Sequence, residues 1–353
     1  MSTRFEINTR TRLDCIARGF RDWALRLLIA IGVLLVAQAA SVSAAGPKVD
    51  KRGLWVPNKL NGTIVEYTAA QRAASGSPVP ALTNSSSALD FPVNLVFDPA
   101  GNMWVVNAAT PAITEFSAKQ LKQLGSVPDP APVVTITSSV FSTPLADFDR
   151  GGNLWVSDLN AGEIFRFSRK QLKSGGDLTP AVTISSPYLN GARNMAFDAN
   201  GNLWISNDGS DQIEKFAKKG LRKGGALTPA VIISDDGSGS LDSCTGLAFD
   251  SKQNLWVANA YADTIVEFPH SALKTSGSPT PAVIIGGSLN TPVGLGFDHK
   301  HNLWASNFGN NTLVEFSPAQ LKTSANPTPI VTISAISGSL SGPEQFSFGR
   351  SIN

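Results

Sequence analysis

The sequence predicts an all-β fold, a six-bladed β-propeller of four-stranded antiparallel blades, and three observations carry that prediction. Six of the seven tryptophans stand at Trp55, Trp104, Trp155, Trp204, Trp256 and Trp304, at spacings of 49, 51, 49, 52 and 48 residues. Three places after each comes an Asn or Asp (Asn58, Asn107, Asp158, Asn207, Asn259, Asn307), and twelve places after each an aromatic (Tyr67, Phe116, Phe167, Phe216, Phe268, Phe316). Between these landmarks, short β-branched or aromatic runs alternate with Gly, Asn, Asp and Pro, which suits strands and tight turns and leaves no useful length for a helical repeat. Offsets kept through six copies mean one supersecondary unit repeated, and a four-stranded unit of about 50 residues is the size of a propeller blade.

Within one unit the strands follow in order. Gly294-Leu295-Gly296-Phe297-Asp298 reads as a strand ending in a turn, Leu303-Trp304-Ala305-Ser306 as the second strand, Thr312 to Phe316 as the third, and Ile330-Val331-Thr332-Ile333 as the fourth. The first turn, as in Asp198 to Asn202, places Asn and Gly where φ > 0 is needed. Between the third and fourth strands, segments such as Ser168-Arg169-Lys170-Gln171-Leu172-Lys173 read as one helical turn before a Pro-anchored loop. The repeats open at Gly53-Leu54-Trp55 without a preceding strand, while Pro343 to Phe348 reproduces the spacing of Pro292 to Phe297 with no tryptophan strand after it. The C-terminal strand is therefore expected to complete the first blade and close the ring.

Residues 1–45 read as a signal peptide and 46–353 as the propeller. Arg4, Arg10, Arg12, Arg18, Arg21 and Arg26 precede an apolar run, Leu27 to Ala40, that is short for a spanning helix, and small residues follow, with a cut after Ala44 or Ala45. An uncleaved anchor is the alternative, and either way a secreted or periplasmic location is expected. The first 45 residues hold six of the 29 basic and three of the 27 acidic residues, so the remainder carries 23 against 24. A net charge of −1 gives no argument for nucleic-acid binding. Cys15 falls in the leader, leaving Cys244 alone and no intramolecular disulfide beyond it, and a large core needs no such staple.

The strand Asn254-Leu255-Trp256-Val257-Ala258-Asn259, preceded by Gly246-Leu247-Ala248-Phe249-Asp250, resembles the NHL-repeat propellers, and more loosely the virginiamycin B lyase and gluconolactonase/paraoxonase-like propellers. The resemblance covers roughly residues 50–353, and propellers host many functions. The repeated Trp and Asn read as structural, with the Asn bonding the turn that follows; function is sought where copies differ. Three places before the inner-strand Phe stand Asn94, Leu145, Asn194, Gly246, Gly294 and Gln345; one place earlier stand Val93, Pro144, Arg193, Thr245, Val293 and Glu344. Gluconolactonase-like enzymes imply a calcium or magnesium ion held at such strand starts, which Asn94, Asn194 and Glu344 would ligate; Leu145, Gly246, Gly294 and Arg193 depart from that pattern. Without that resemblance, no cofactor is expected. The lyase resemblance implies a histidine on the upper face, where the inner strands begin, whereas His270, His299 and His301 fall on the lower.

Sorting loops by face gives an acidic upper side, with Asp158, Asp208, Asp211, Asp235, Asp236, Asp242 and Asp263, and a lower side rich in Lys and Arg. Ligand contacts are therefore expected from Asn94, Arg193, Asn194, Asp235, Asp236, Asp242, Thr245, Glu344 and Gln345. The expected function is a binding scaffold for a protein, peptide or glycan, monomeric, with no nucleic acid and no membrane contact beyond the leader. The competing class is a metal-dependent hydrolase or lyase with its site at the channel mouth.

Overall fold

A computed structural model describes residues 52–123 and 129–350. The expected leader, its cut and Cys15 lie outside the described residues. Six sheets form, each with four strands in antiparallel order. Blade 2 comprises Pro92–Phe97, Met103–Asn107, Ala112–Phe116 and Val134–Thr137; blade 3 Pro144–Phe148, Leu154–Asp158, Glu163–Phe167 and Val182–Ser185. Blade 4 comprises Ala192–Phe197, Leu203–Asn207, Gln212–Phe216 and Val231–Ser234; blade 5 Cys244–Phe249, Leu255–Asn259, Thr264–Phe268 and Val283–Ile285. Blade 6 comprises Pro292–Phe297, Leu303–Asn307, Thr312–Phe316 and Val331–Ser334.

Blade 1 draws on both chain ends, as the spacing of the last repeat requires. Ser347–Arg350 pairs antiparallel with Arg52–Asn58, Phe348 opposite Leu54 and Ser347 opposite Trp55, and Thr63–Tyr67 and Leu82–Asn84 complete the sheet. The seam is also polar. Asn58 donates to the Ser339 carbonyl at 3.0 Å and accepts from the Ser341 amide at 3.2 Å.

Those contacts reveal what the recurrent Asn does. Asn107, Asn207, Asn259 and Asn307 donate to the carbonyls of Ala88, Tyr188, Ser240 and Ser288, each 19 residues earlier in the incoming blade-to-blade loop. The bond to the following turn, to Thr63, Thr264 or Thr312, is an addition rather than the main role. A side-chain amide has donor and acceptor together, so one residue pins a loop that has no ladder of its own.

The tryptophans fill the contacts between blades. Trp55, Trp104, Trp155, Trp204 and Trp256 each meet the inner-strand Phe of the next blade edge-on, at centroid separations of 5.9–6.1 Å. The first turn is held by its Asp: Asp198 accepts from the amides of Asn200 and Asn202, from the Asn202 side chain and from Trp204 Nε1. Gly201 within it takes φ +79°, open to glycine at little cost. The Asn at the end of this turn ties down the helical turn on the same face: Asn102, Asn153 and Asn202 accept from the amides of Ala118, Arg169 and Lys218.

Two blades depart from a purely antiparallel sheet. Gly176–Asp177 adds in parallel to the outer strand of blade 2, and Gly225–Ala226 to that of blade 3. Single parallel bridges do the same for the outer strands of blades 4, 5 and 6, from Gly277, Ala325 and Gly76. Each comes from the third-to-fourth-strand loop of the next blade, so that loop covers an edge that would otherwise offer unpaired amides to another chain.

Candidate functional site

The central channel is lined by the inner strands, and around its lower half lies a cavity of about 290 Å³ bounded by Asn94, Asp147, Asn194, Gln345 and Ser347 among apolar neighbours. The structure brings Asn94, Asn194 and Gln345 together. Gln345 reaches across the channel, its oxygen accepting from Asn194 Nδ2 at 2.9 Å and its amide donating to the Leu295 carbonyl at 3.1 Å. Asn94 Oδ1 accepts from the Ala146 amide at 3.2 Å, and Asn194 Oδ1 from the Met195 amide at 2.6 Å.

Beside this network, Glu344 is buried and its carboxylate stands 3.4 Å from Lys59 Nζ. Burial raises the Glu344 carboxyl above its ordinary range, with Arg193 and Lys59 opposing. Arg193 itself pairs with Asp208 at 2.9 Å. The three oxygens expected to meet a cation, those of Asn94, Asn194 and Glu344, thus each have a protein partner, whereas calcium takes six to eight oxygens. Among the described residues no group of three or more His, Cys, Asp or Glu side chains is arranged to hold a metal ion.

Several of the variable positions lie where one blade is fastened to the next. Ser157, Ser206 and Ser306 donate to the carbonyls of Arg193, Thr245 and Glu344 in the next blade. Blade 5 has Ala258 where these serines stand, and there Thr245 donates to the Pro292 carbonyl at 2.8 Å. Glycine at 246 and 294 is required by close approach: a Cβ on Gly246 would sit 2.8 Å from the Val293 carbonyl, and one on Gly294 2.8 Å from that of Glu344.

Sequence reasoning missed Asp147. It occupies the register held by Val96, Ala196, Ala248, Gly296 and Ser347 in the other blades, and it places a half-buried carboxylate in the channel wall. Burial pushes its carboxyl up to about 7, the Phe148 amide opposing and Asp149 adding to the rise. One charged residue in a column of small and apolar ones was the available signal.

On the upper face, the second-to-third-strand turns bond the blade-to-blade loops, as between Ala108 and Phe91, Ala260 and Ser243, and Phe308 and Thr291, so both kinds of loop share one side. Much of its acidity is committed internally. Asp158 is buried and accepts from the amides of Ser142 and Thr143 at 2.7 and 3.0 Å. Asp211 and Asp263 accept from the amides of Ser243 and Thr291 in the next loop. For Asp235, burial is outweighed by donors at Leu241, Ser240, Gly237 and Gly239, which hold its carboxyl down at about 2. Asp236 accepts likewise from the Ser238 amide at 3.1 Å. Among the described residues Asp242 spends only its backbone amide, on Asn259. Cys244 is buried, and burial pushes its thiol well up. His270, His299 and His301 lie on the lower face, in the loops expected for them.

No family model matches the chain, and no curated protein matches it either. Among solved structures, a chain in a nidogen/laminin complex is 14% identical with a TM-score of 0.60, over 84% of this chain and 98% of that one. A protein of unknown function from Bacteroides caccae is 11% identical with a TM-score of 0.58, over 85% and 99%. The likeness is one of fold. Virginiamycin B lyase from Staphylococcus aureus is more distant, at 14% identity and a TM-score of 0.49 over 77% and 83%. At such identities the likeness extends to the fold.

Proposed function

We propose that this propeller is an exported, non-catalytic binding module whose partner, a basic protein or peptide or a glycan, docks on the upper face over blades 4 and 5. The observation behind this reading is the exposure of Tyr261 (80%) and Tyr188 (41%) in the sector that holds Asp208, Asp242 and Asp263. Exposed tyrosine offers large contact area with a polar end, at small cost in side-chain entropy, and suits a sugar ring or a lysine or arginine stem. The Asp242 carboxylate, unbonded among the described residues, is the acid in the loop bonded to the turn of Tyr261. Asp235 and Asp236 act on this reading by shaping the loop that carries Asp242.

A peptide library rich in Lys and Arg, together with an oligosaccharide array, is the direct screen. Tyr261→Ala combined with Asp242→Asn is expected to weaken the selected ligand by about tenfold to a hundredfold, measured by calorimetry, while the melting temperature stays unchanged. Affinity unaffected by that pair would exclude this sector. Turnover of an ester or lactone, with a rise in melting temperature on adding calcium, would favour the metal-dependent hydrolase instead.

A further inference from the structure

The lower face carries a cleft with an excess of positive charge that its neighbour in the ring lacks. Between blades 2 and 3, the cleft is bounded by Asp98, Pro99, Glu115, Arg169 and Lys173. Between blades 3 and 4, the same structural positions hold Asp149, Arg150, Arg166, Lys218 and Arg222, around a cavity of about 260 Å³. Pro99 has become Arg150, and the buried acid Glu115 has become Arg166, so four cations and two acids line this cleft where two cations and two acids line its neighbour.

Arg166 faces Trp155 across the strand pair, as Glu66, Glu115, Glu267 and Glu315 face their own tryptophans. Its guanidinium lies over the Trp155 ring, 5.7 Å from the centroid, and its Nε is buried without a hydrogen-bond acceptor. Among the described residues, no carboxylate forms an ion pair with Arg150, Arg166, Lys218 or Arg222. The two acids in the cleft, Asp149 and Asp198, spend their oxygens on the amides and side chains of their own turns, including Trp155 Nε1 at 2.9 Å and Trp204 Nε1 at 3.2 Å. A guanidinium held by stacking, with an orphaned donor and three further cations around a cavity of this size, is built to take an oxyanion.

We infer that the cleft between blades 3 and 4 binds a phosphate-type oxyanion, free or as a sugar phosphate, with Arg166 as its central donor and Arg150, Lys218 and Arg222 around it. This site is on the opposite face from the proposed partner surface and stands or falls independently of it.

The test is calorimetric titration of the whole protein with inorganic phosphate and with glucose 6-phosphate, at low and at raised sodium chloride. Both are expected to bind, more weakly as salt rises. Equal affinities would point to the free anion and tighter glucose 6-phosphate to the esterified one, and either outcome supports the site. Arg166→Glu, which installs the residue four other blades carry, is expected to weaken binding by on the order of tenfold to a hundredfold. Lys218→Ala with Arg222→Ala, on the surface, should do so even if the first variant folds poorly, whereas Lys322→Ala, on another blade, should not. Absence of binding in the native protein, or equal binding by the native protein and both cleft variants, overturns the inference.

Discussion

Replacing Glu214 with valine is expected to stabilise the protein by about 3 kcal/mol at pH 8 and by much less at pH 5. Glu214 is 0% exposed, sits opposite Ile205 on the face that blade 4 turns towards blade 3, and among the described residues its two carboxylate oxygens have no donor at full hydrogen-bonding geometry, Asn207 being the nearby polar group. The other blades carry Val65, Thr114, Phe165, Val266 and Val314 there. Burial pushes its carboxyl from 4.5 up to about 8, with Asn207 opposing only in part. A folded-state value above the unfolded one means the native state holds a proton that the unfolded chain releases. The contribution of this group is therefore whole below about 4.5 and is lost as pH climbs towards 8. Urea denaturation of both proteins at the two pH values measures it. An equal difference at pH 5 and pH 8 would show that Glu214 does not titrate across this range.

Glu214 also marks where the sequence could be read and where it could not. The blade count, the strand order and the closing strand follow from spacing alone, because a period of nearly 50 residues records a covalent repeat that packing cannot disguise. The roles of the variable residues are different in kind. Asn94, Asn194 and Gln345 were legible as polar residues converging on the channel, but whether their oxygens face an ion or a backbone amide depends on how far one inner strand is shifted against the next. Ser157, Ser206 and Ser306 recur two places after their tryptophans and could have been aligned as a set; their partners, a whole blade away, could not. Glu66, Glu115, Glu267 and Glu315 likewise recur eleven places after theirs, and that column makes Arg166 and Lys215 visible as exceptions. Reading columns for invariant residues alone hides such exceptions, and the same habit passed over Asp147.

Deleting residues 343–353 is expected to abolish cooperative folding, because that segment supplies the strand that closes the ring. It supplies the strand that covers Arg52–Trp55, the Glu344 amide that bonds the Pro57 carbonyl at 3.0 Å, and the Glu344 carbonyl that accepts from Ser306 at 2.9 Å. It supplies Phe346 as well, buried in one cluster with Leu54, Val56, Trp304 and Leu313 and so shared between the first and last blades. Removing it would expose a hydrophobic strand edge in a fold that covers the outer edges of blades 2 to 6, which favours association between chains. A single substitution grades the effect: Phe346→Ala should cost about 3–5 kcal/mol, the range for a large aromatic lost from a core that cannot collapse around it. Phe91→Ala, at an exposed loop position, should stay within about 0.5 kcal/mol. Circular dichroism during urea titration, with sedimentation to detect association, distinguishes these cases. A truncated chain that melts at the same denaturant concentration as the intact one would mean that the interfaces between successive blades suffice, and that the seam adds nothing to the stability of the ring.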